Sequence, residues 1–443
     1  MTLHTRRQIL GSLVAAAAIP GIPRTASAST QAPVTVNGRS YERPRRPTVA
    51  ICIDGFDPTY LENGLRDGIL PNLARFQSRG FATTARGVMP SFTNPNNTSI
   101  LTGVEPAVHG ISGNYYLDRA TGKETMITDA SVLRCETILG LMSQAGVKSA
   151  GVTAKDKLRE IIRHNLRGIA FSAQHADKAT MANAGIDDVE GMVGRRTPDQ
   201  YSADLSYFVL DAGARLLERR SADLIYLSLS DVVMHTYAPR EPEADAFLAG
   251  IDQRIGRLVD LGATVGVTGD HGMNDKSKPD GSPNVIWLED VLNKRFGSGA
   301  TRVICPITDP FVRHHGALGS FVRVYVKGGS EQLHAMMETT RRLAGVELVL
   351  TGAEAARRFA TPPEYEGDFT VVSTKHVVLG SSETAHDLSG LKGRRLRSHG
   401  GLSDQRIPFL VSAPLSPRYA DRARRGEVRN FDVYDFLLNG IRT

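Results

Sequence analysis

The chain has 443 residues, 41% of them hydrophobic and 23% charged, with a formal net charge of +6. That length holds one large domain with an insertion, or two domains, and no internal repeat or low-complexity tract breaks it. Without a basic run or an aromatic-basic stripe, the charge excludes a nucleic-acid partner, and three cysteines (Cys52, Cys135 and Cys305) are too few to define the fold by disulfides.

In chain order, the first feature is a leader. Thr5-Arg6-Arg7-Gln8-Ile9-Leu10 carries twin arginines, residues 11–22 are apolar, and Ala26-Ser27-Ala28 offers small residues for cleavage. Residues 1–28 are expected to be a twin-arginine signal peptide, with the twin-arginine export machinery as partner and the periplasm as address. The apolar stretch is shorter than the about 20 residues a bilayer span needs. No other segment is more apolar, so stable membrane insertion is not expected. Losing Arg6, Arg7 and Arg24 brings the charge to +3, a surplus suited to a small anionic substrate.

Residues 29–46 read as a linker to the folded part. Short apolar runs at 49–53, 149–152, 224–229, 264–268 and 409–411 predict buried parallel strands. Amphipathic stretches at 70–78, 131–145, 201–219 and 243–261 predict helices packed on them. The alternation predicts an α/β core, with a mostly parallel sheet between helix layers. Between 275 and 374 glycines and prolines interrupt the pattern, and Phe321-Val-Arg-Val-Tyr-Val326 looks like an exposed, alternating strand. This stretch is expected to be an inserted cap region, splitting the catalytic core into 47–274 and 375–443. The loop-rich segment 155–200 could form part of a lid.

Residues able to hold two metal ions follow the strand ends, where open α/β sheets place their ligands. Asp54 ends the first apolar run, Asp231 and His235 share one segment, Asp270-His271-Gly272 ends another, and His399 lies between Ser398 and Gly400. Carboxylate with imidazole suits zinc or another borderline divalent ion. Alone, Asp54 reads as a turn or cap residue; four motifs in this order read as one site. Thr93, in Ser91-Phe92-Thr93-Asn94-Pro95-Asn96-Asn97, is the candidate nucleophile, in a turn before a helix starting near Asn96. Lys155 and Lys157 follow a strand and could flank an anion. Asn114, in Gly110-Ile-Ser-Gly-Asn114-Tyr115-Tyr116, could donate to a phosphoryl oxygen.

These residues resemble the alkaline phosphatase superfamily, in its nucleotide pyrophosphatase/phosphodiesterase-like branch, over nearly the whole chain after the leader. The resemblance is narrower to the phosphonoacetate hydrolases. It rests on Met89-Pro-Ser-Phe-Thr93-Asn-Pro-Asn-Asn97, His109-Gly-Ile-Ser-Gly-Asn114-Tyr115, Val152-Thr-Ala-Lys155-Asp-Lys157 and Val36-Asn-Gly-Arg39. It implies an alkaline-phosphatase-like core and two zinc ions per chain. One would sit on Asp231, His235 and His399, the other on Asp54, Asp270, His271 and the Thr93 oxygen. Asn114, Lys155 and Lys157 would bind a small phosphonate, whose carbon–phosphorus bond is cleaved through a phosphothreonine. A homodimer is compatible with this reading. The alternative is a phosphodiesterase or nucleotide pyrophosphatase with the same two-zinc site, using Phe92, Tyr115 or Tyr116 as a slot for a base. A sulfatase would want Cys or Ser in place of Thr93, and a binding protein has no use for a nucleophile.

Overall fold

Strands covered on both faces have no polar side to alternate with, so they read as uncharged apolar runs. The computed structural model describes residues 32–309, 315–327 and 329–442, so the expected leader, 1–28, lies outside the described residues. The strands of its two larger sheets are β1 (Thr48–Ile53), β2 (Phe81–Arg86), β3 (Ser149–Thr153), β4 (Ile169–Ser172), β5 (Leu224–Ser228) and β6 (Thr264–Gly269), then β7 (Thr301–Ile304), β8 (Phe321–Val326), β9 (Val346–Thr351), β10 (Phe369–Ser373) and β11 (Arg406–Val411). The seven-stranded sheet has the order β2-β11-β6-β1-β5-β3-β4. From β6 to β4 every pairing is parallel.

The expected mostly parallel sheet is present, with one correction. The strand at 409–411, expected to be parallel, is β11, and it runs antiparallel to both neighbours, β6 and β2. Burial decides which residues a strand carries, and not which way it runs.

The helices that matter here are α1 (Pro71–Arg79), α2 (Thr93–Thr102), α3 (Ile138–Gln144), α4 (Asp204–Glu218), α5 (Val232–Thr236), α6 (Pro242–Asp260), α7 (Ser330–Arg341), α8 (Gly352–Phe359) and α9 (Val433–Asn439). Alternate residues of β1 serve the two faces of the sheet. Val49, Ile51 and Ile53 pack with Leu73 of α1, Phe208 of α4 and Ile251 of α6. Ala50 and Cys52 pack with Ile100 of α2, Ile138 of α3 and Phe436 of α9. The first turn of α1 has no side-chain cap of its own. Asp252 on α6 supplies it, accepting from the Asn72 and Leu73 amides at 3.0 and 2.8 Å.

One further expectation is corrected and another is refined. The helix expected over 131–145 forms only at 138–144, where Thr137 caps it by accepting from the Gly140 amide. The segment 155–200, read as loop-rich and a possible part of a lid, also carries β4, which pairs parallel with β3 and edges the main sheet.

Four strands within residues 301–373 form the second sheet, antiparallel throughout, in the order β7-β8-β10-β9. Phe321, Val322 and Val324 pack with Met336 of α7 and Phe359 of α8, and with Met89 and Phe92 from the first part of the chain. Strand β8 is therefore buried, against the expectation of an exposed one. Its Arg323 mimics an outward-facing position but is fully buried, held by both oxygens of Glu366 at 2.9 and 3.0 Å. Among the described residues no helix is long and apolar enough to cross a membrane.

Candidate active site

Each metal-binding candidate sits where a strand of the main sheet gives way to a turn. Asp54 follows β1, Asp270 and His271 follow β6, and Asp231 stands between β5 and α5, whose single turn carries His235 to the same side. His399 follows the two-residue pairing of Arg397–Ser398 with Asn274–Asp275. Thr93 is the first residue of α2, so the helix begins three residues before the start expected near Asn96. Pro95 causes no break there, because a first-turn amide has no helical acceptor to lose. All seven side chains are buried, Thr93 being the most open at 7%.

The candidates form two clusters, Asp231/His235/His399 and Asp54/Asp270/His271, each with its ligand atoms within 4.8 Å of one another. His235 Nε2 lies 3.2 Å from Asp231 Oδ2, and His271 Nε2 lies 3.2 Å from Asp54 Oδ1. The rings of His271 and His399 stack at 3.4 Å, which brings the clusters together. Thr93 Oγ1 is 3.4 Å from His271 Nε2 and so belongs to the second cluster.

The surroundings fit metal ions. Nδ1 of His235, His271 and His399 meets the carbonyl oxygens of Arg397, Gly272 and Ser91 at 2.8, 2.9 and 2.7 Å. A carbonyl only accepts, so each Nδ1 carries a proton and Nε2 is turned to the site, the arrangement of a ligating histidine. Among the described residues, the buried Asp54 Oδ1 has no hydrogen-bond donor. Burial, joined by the Asp54 charge, pushes the Asp270 carboxyl up to about 8. Burial pulls His271 down, but the Asp270 and Asp54 carboxylates outweigh it and raise it to about 9. A metal-free cluster thus keeps protons that a divalent ion would displace. His399 is pushed well below its usual range by burial and by His271 and His235 beside it.

Of the substrate-binding candidates, Lys155 reaches both clusters. Lys155, just beyond β3, lies 2.5 Å from Asp231 Oδ1 and 3.9 Å from Asp54 Oδ2, touching one carboxylate of each cluster. Burial disfavours its charge, but Asp231, Asp54 and Asp309 together hold it above the usual lysine range. Lys157 pairs with Asp309 at 2.8 Å. Asn114 takes the Asn94 amide on its oxygen at 3.2 Å, fixing the loop to the first turn of α2, and donates to the Ile307 carbonyl at 3.1 Å.

The aromatic residues weighed for a base-binding slot are engaged elsewhere. Phe92 is fully buried against Phe321 and His399, Tyr115 donates to Glu124, and Tyr116 packs on Tyr365 at 4.7 Å. Sequence reasoning missed Asn97, Asp309 and His315. His315 stacks on His235 at 4.8 Å. Asn97 donates to Asp270 Oδ2 at 3.1 Å and accepts from Tyr226 and Ser228. It stood within the recognised Asn-rich run, but its role depends on strands far away in sequence.

A buried threonine at a helix start, set against two Asp/His clusters at the carboxyl ends of a mostly parallel sheet, defines an α/β metal-dependent hydrolase. The family model for type I phosphodiesterase / nucleotide pyrophosphatase matches residues 48–369, and the chain belongs to that family.

Phosphonoacetate hydrolase from Sinorhizobium meliloti, solved with phosphonoformate, is 45% identical with a TM-score of 0.86, the match covering 92% of this chain and 98% of that one. The same enzyme solved with phosphonoacetate gives 44% identity, a TM-score of 0.84 and the same coverage. An uncharacterized pyrophosphatase/phosphodiesterase of Schizosaccharomyces pombe is 26% identical over 262 residues, 55% of this chain. The chain spans 47% of that relative's length.

Proposed function

We propose that this enzyme hydrolyses the carbon–phosphorus bond of phosphonoacetate, giving acetate and phosphate, through a phosphothreonine at Thr93. The observation that carries the reading is buried Lys155, set between a carboxylate of each cluster, with the buried Lys157 nearby on Asp309. Two buried ammonium groups suit a substrate with a carboxylate as well as a phosphoryl group, and the engaged aromatics leave little for a base to stack on. The overall similarity to phosphonoacetate hydrolase supports the same substrate.

Zinc is the metal we infer, one ion on Asp231, His235 and His399 and one on Asp54, Asp270 and His271 with the Thr93 oxygen. Bound there, the ions would supply Lewis acidity, easing ionisation of a nearby hydroxyl and the growth of charge on phosphoryl oxygens. The chain's residues do the rest. Thr93 Oγ1, its proton passed to water, attacks phosphorus in line as the P–C bond breaks. The electron pair leaves on the CH2 carbon, spreads into the carboxylate as an enolate, and takes a proton from water to give acetate. With Asp231 committed to a metal ion, the Lys155 ammonium is released to a substrate anion. Paired with the carboxylate, it stabilises the dianionic enolate more than the substrate, which lowers the barrier. Water then cleaves phospho-Thr93, releasing phosphate and restoring the hydroxyl.

The test is phosphate release by the zinc-loaded protein from phosphonoacetate, beside bis-p-nitrophenyl phosphate and p-nitrophenyl phenylphosphonate. Turnover should fall by at least about 10³-fold in Thr93→Ala, the cost of losing a nucleophile. In Lys155→Ala, phosphonoacetate turnover should collapse. Diester cleavage without phosphonoacetate turnover would assign the enzyme to phosphodiester chemistry and sink the lysine argument. We also propose export to the periplasm by the twin-arginine route, on the strength of Arg6-Arg7 and Ala26-Ser27-Ala28.

A further inference from the structure

Like charges set directly opposite each other on paired strands repel. At the outer edge of the main sheet, Arg406 of β11 nevertheless stands opposite Arg86 of β2 in register. Arg86 is bridged in turn to Arg429. Laterally paired residues share a face of the pleat, so three guanidinium-bearing side chains rise in one row. Arg358 of α8 faces them, and all four line a surface cavity of about 460 Å3 with Met89 and Phe359.

Charge compensation in this cavity is thin. Glu105 is the only acidic residue lining it, and it holds Arg429 at 3.3 Å. Among the described residues, Arg86, Arg358 and Arg406 have no carboxylate partner, and Nε of Arg429 is buried without a hydrogen bond. Two arginines of another cavity are compensated more fully. In the cavity beside α9, Arg39 and Arg422 are matched by Asp432 and Asp435, at 2.7 Å in each pairing.

We propose that the cavity between β2, β11 and α8 is an anion-binding site, separate from the catalytic centre, for a small polyanion of the pyrophosphate class. Guanidinium groups match phosphate oxygens two at a time through their planar fork. Two neighbouring strands and the bridged segment at Arg429 spread the row over roughly 10 Å, more than one phosphate can span. A diphosphate or longer chain bridges it, and it also offsets the repulsion that the row stores.

The experiment is calorimetric titration of the zinc-loaded protein with inorganic pyrophosphate and, separately, inorganic phosphate. It compares the natural chain with Arg86→Gln/Arg406→Gln and with Arg358→Gln. The natural chain should bind pyrophosphate at least tenfold more tightly at this site than the double variant, and more tightly than it binds phosphate. Affinity should fall as salt rises. Any zinc drawn off by pyrophosphate acts on all three proteins alike, so the comparison reads the arginines. The double variant, relieved of repulsion, should melt higher than the natural chain in the absence of ligand. If it does not fold, Arg358→Gln, on an exposed helix face, still reads the site. Identical titrations in natural and variant proteins would overturn the proposal, and equal affinity for phosphate and pyrophosphate would overturn the polyanion assignment.

Discussion

Asn97 does for the second cluster what backbone carbonyls do for the histidines. Its amide nitrogen donates to Asp270 and to the Thr93 carbonyl, while its oxygen takes the Tyr226 and Ser228 hydroxyls. One side chain thus ties a metal-binding carboxylate to the turn that presents the nucleophile. Partners of this kind orient ligands, and their loss typically costs 10–100-fold in metal affinity. Asn97→Ala should weaken zinc binding by roughly that factor, read by competition with a chromogenic chelator, and should also lower the melting temperature of the metal-free protein, because the buried Tyr226 and Ser228 hydroxyls lose their acceptor. An unaltered zinc affinity would show that Asp270 needs no such support. At this scale the sequence was legible where chemistry follows from residue type. Asp and His at strand ends and Thr at a helix start announce themselves. The carbonyls of Ser91, Gly272 and Arg397, which set the histidine rings, belong to no residue type and could not be read.

Among the elements, β8 shows how pattern and environment diverge. Val-Arg-Val reads as a strand with one wet face, yet Arg323 is buried, bonded to both Glu366 oxygens and to the Ser112 carbonyl. A buried ion pair broken on one side leaves an uncompensated charge. Arg323→Met should therefore destabilise the protein by about 3–5 kcal/mol, measured by urea unfolding. Arg323→Met/Glu366→Met should recover most of that loss; if it recovers none, the pair is not the source. Ser112 lies two residues before Asn114, so a displaced loop should raise KM for phosphonoacetate more than it lowers kcat. The central strands β1, β5 and β6 were readable because nothing charged interrupts them. Strand β4 was not, because its four residues follow a glycine in loop-like sequence. The direction of β11 was not readable either, since hydrophobicity carries no sign.

Across the whole molecule, the two clusters draw ligands from Asp54 to His399, and the main sheet is knitted in the same way. Export should depend on the leader: replacing Arg6 and Arg7 by lysine should leave the protein in the cytoplasm, with its zinc content and turnover intact. Cell fractionation reads this, and periplasmic protein from the doubly substituted gene would end the proposal. The place of β11 bears on how such a protein is made. Strand β2 sits at the sheet edge with β11 as its partner, so residues 81–86 wait for residues 406–411 to leave the ribosome. His399 emerges only a few residues ahead of that strand. Until nine-tenths of the polypeptide has been synthesised, the first cluster lacks its third ligand and the sheet lacks a seam. Metal capture at the first cluster would therefore wait until nearly the whole chain has been made, whereas the residues of the second are all present by His271.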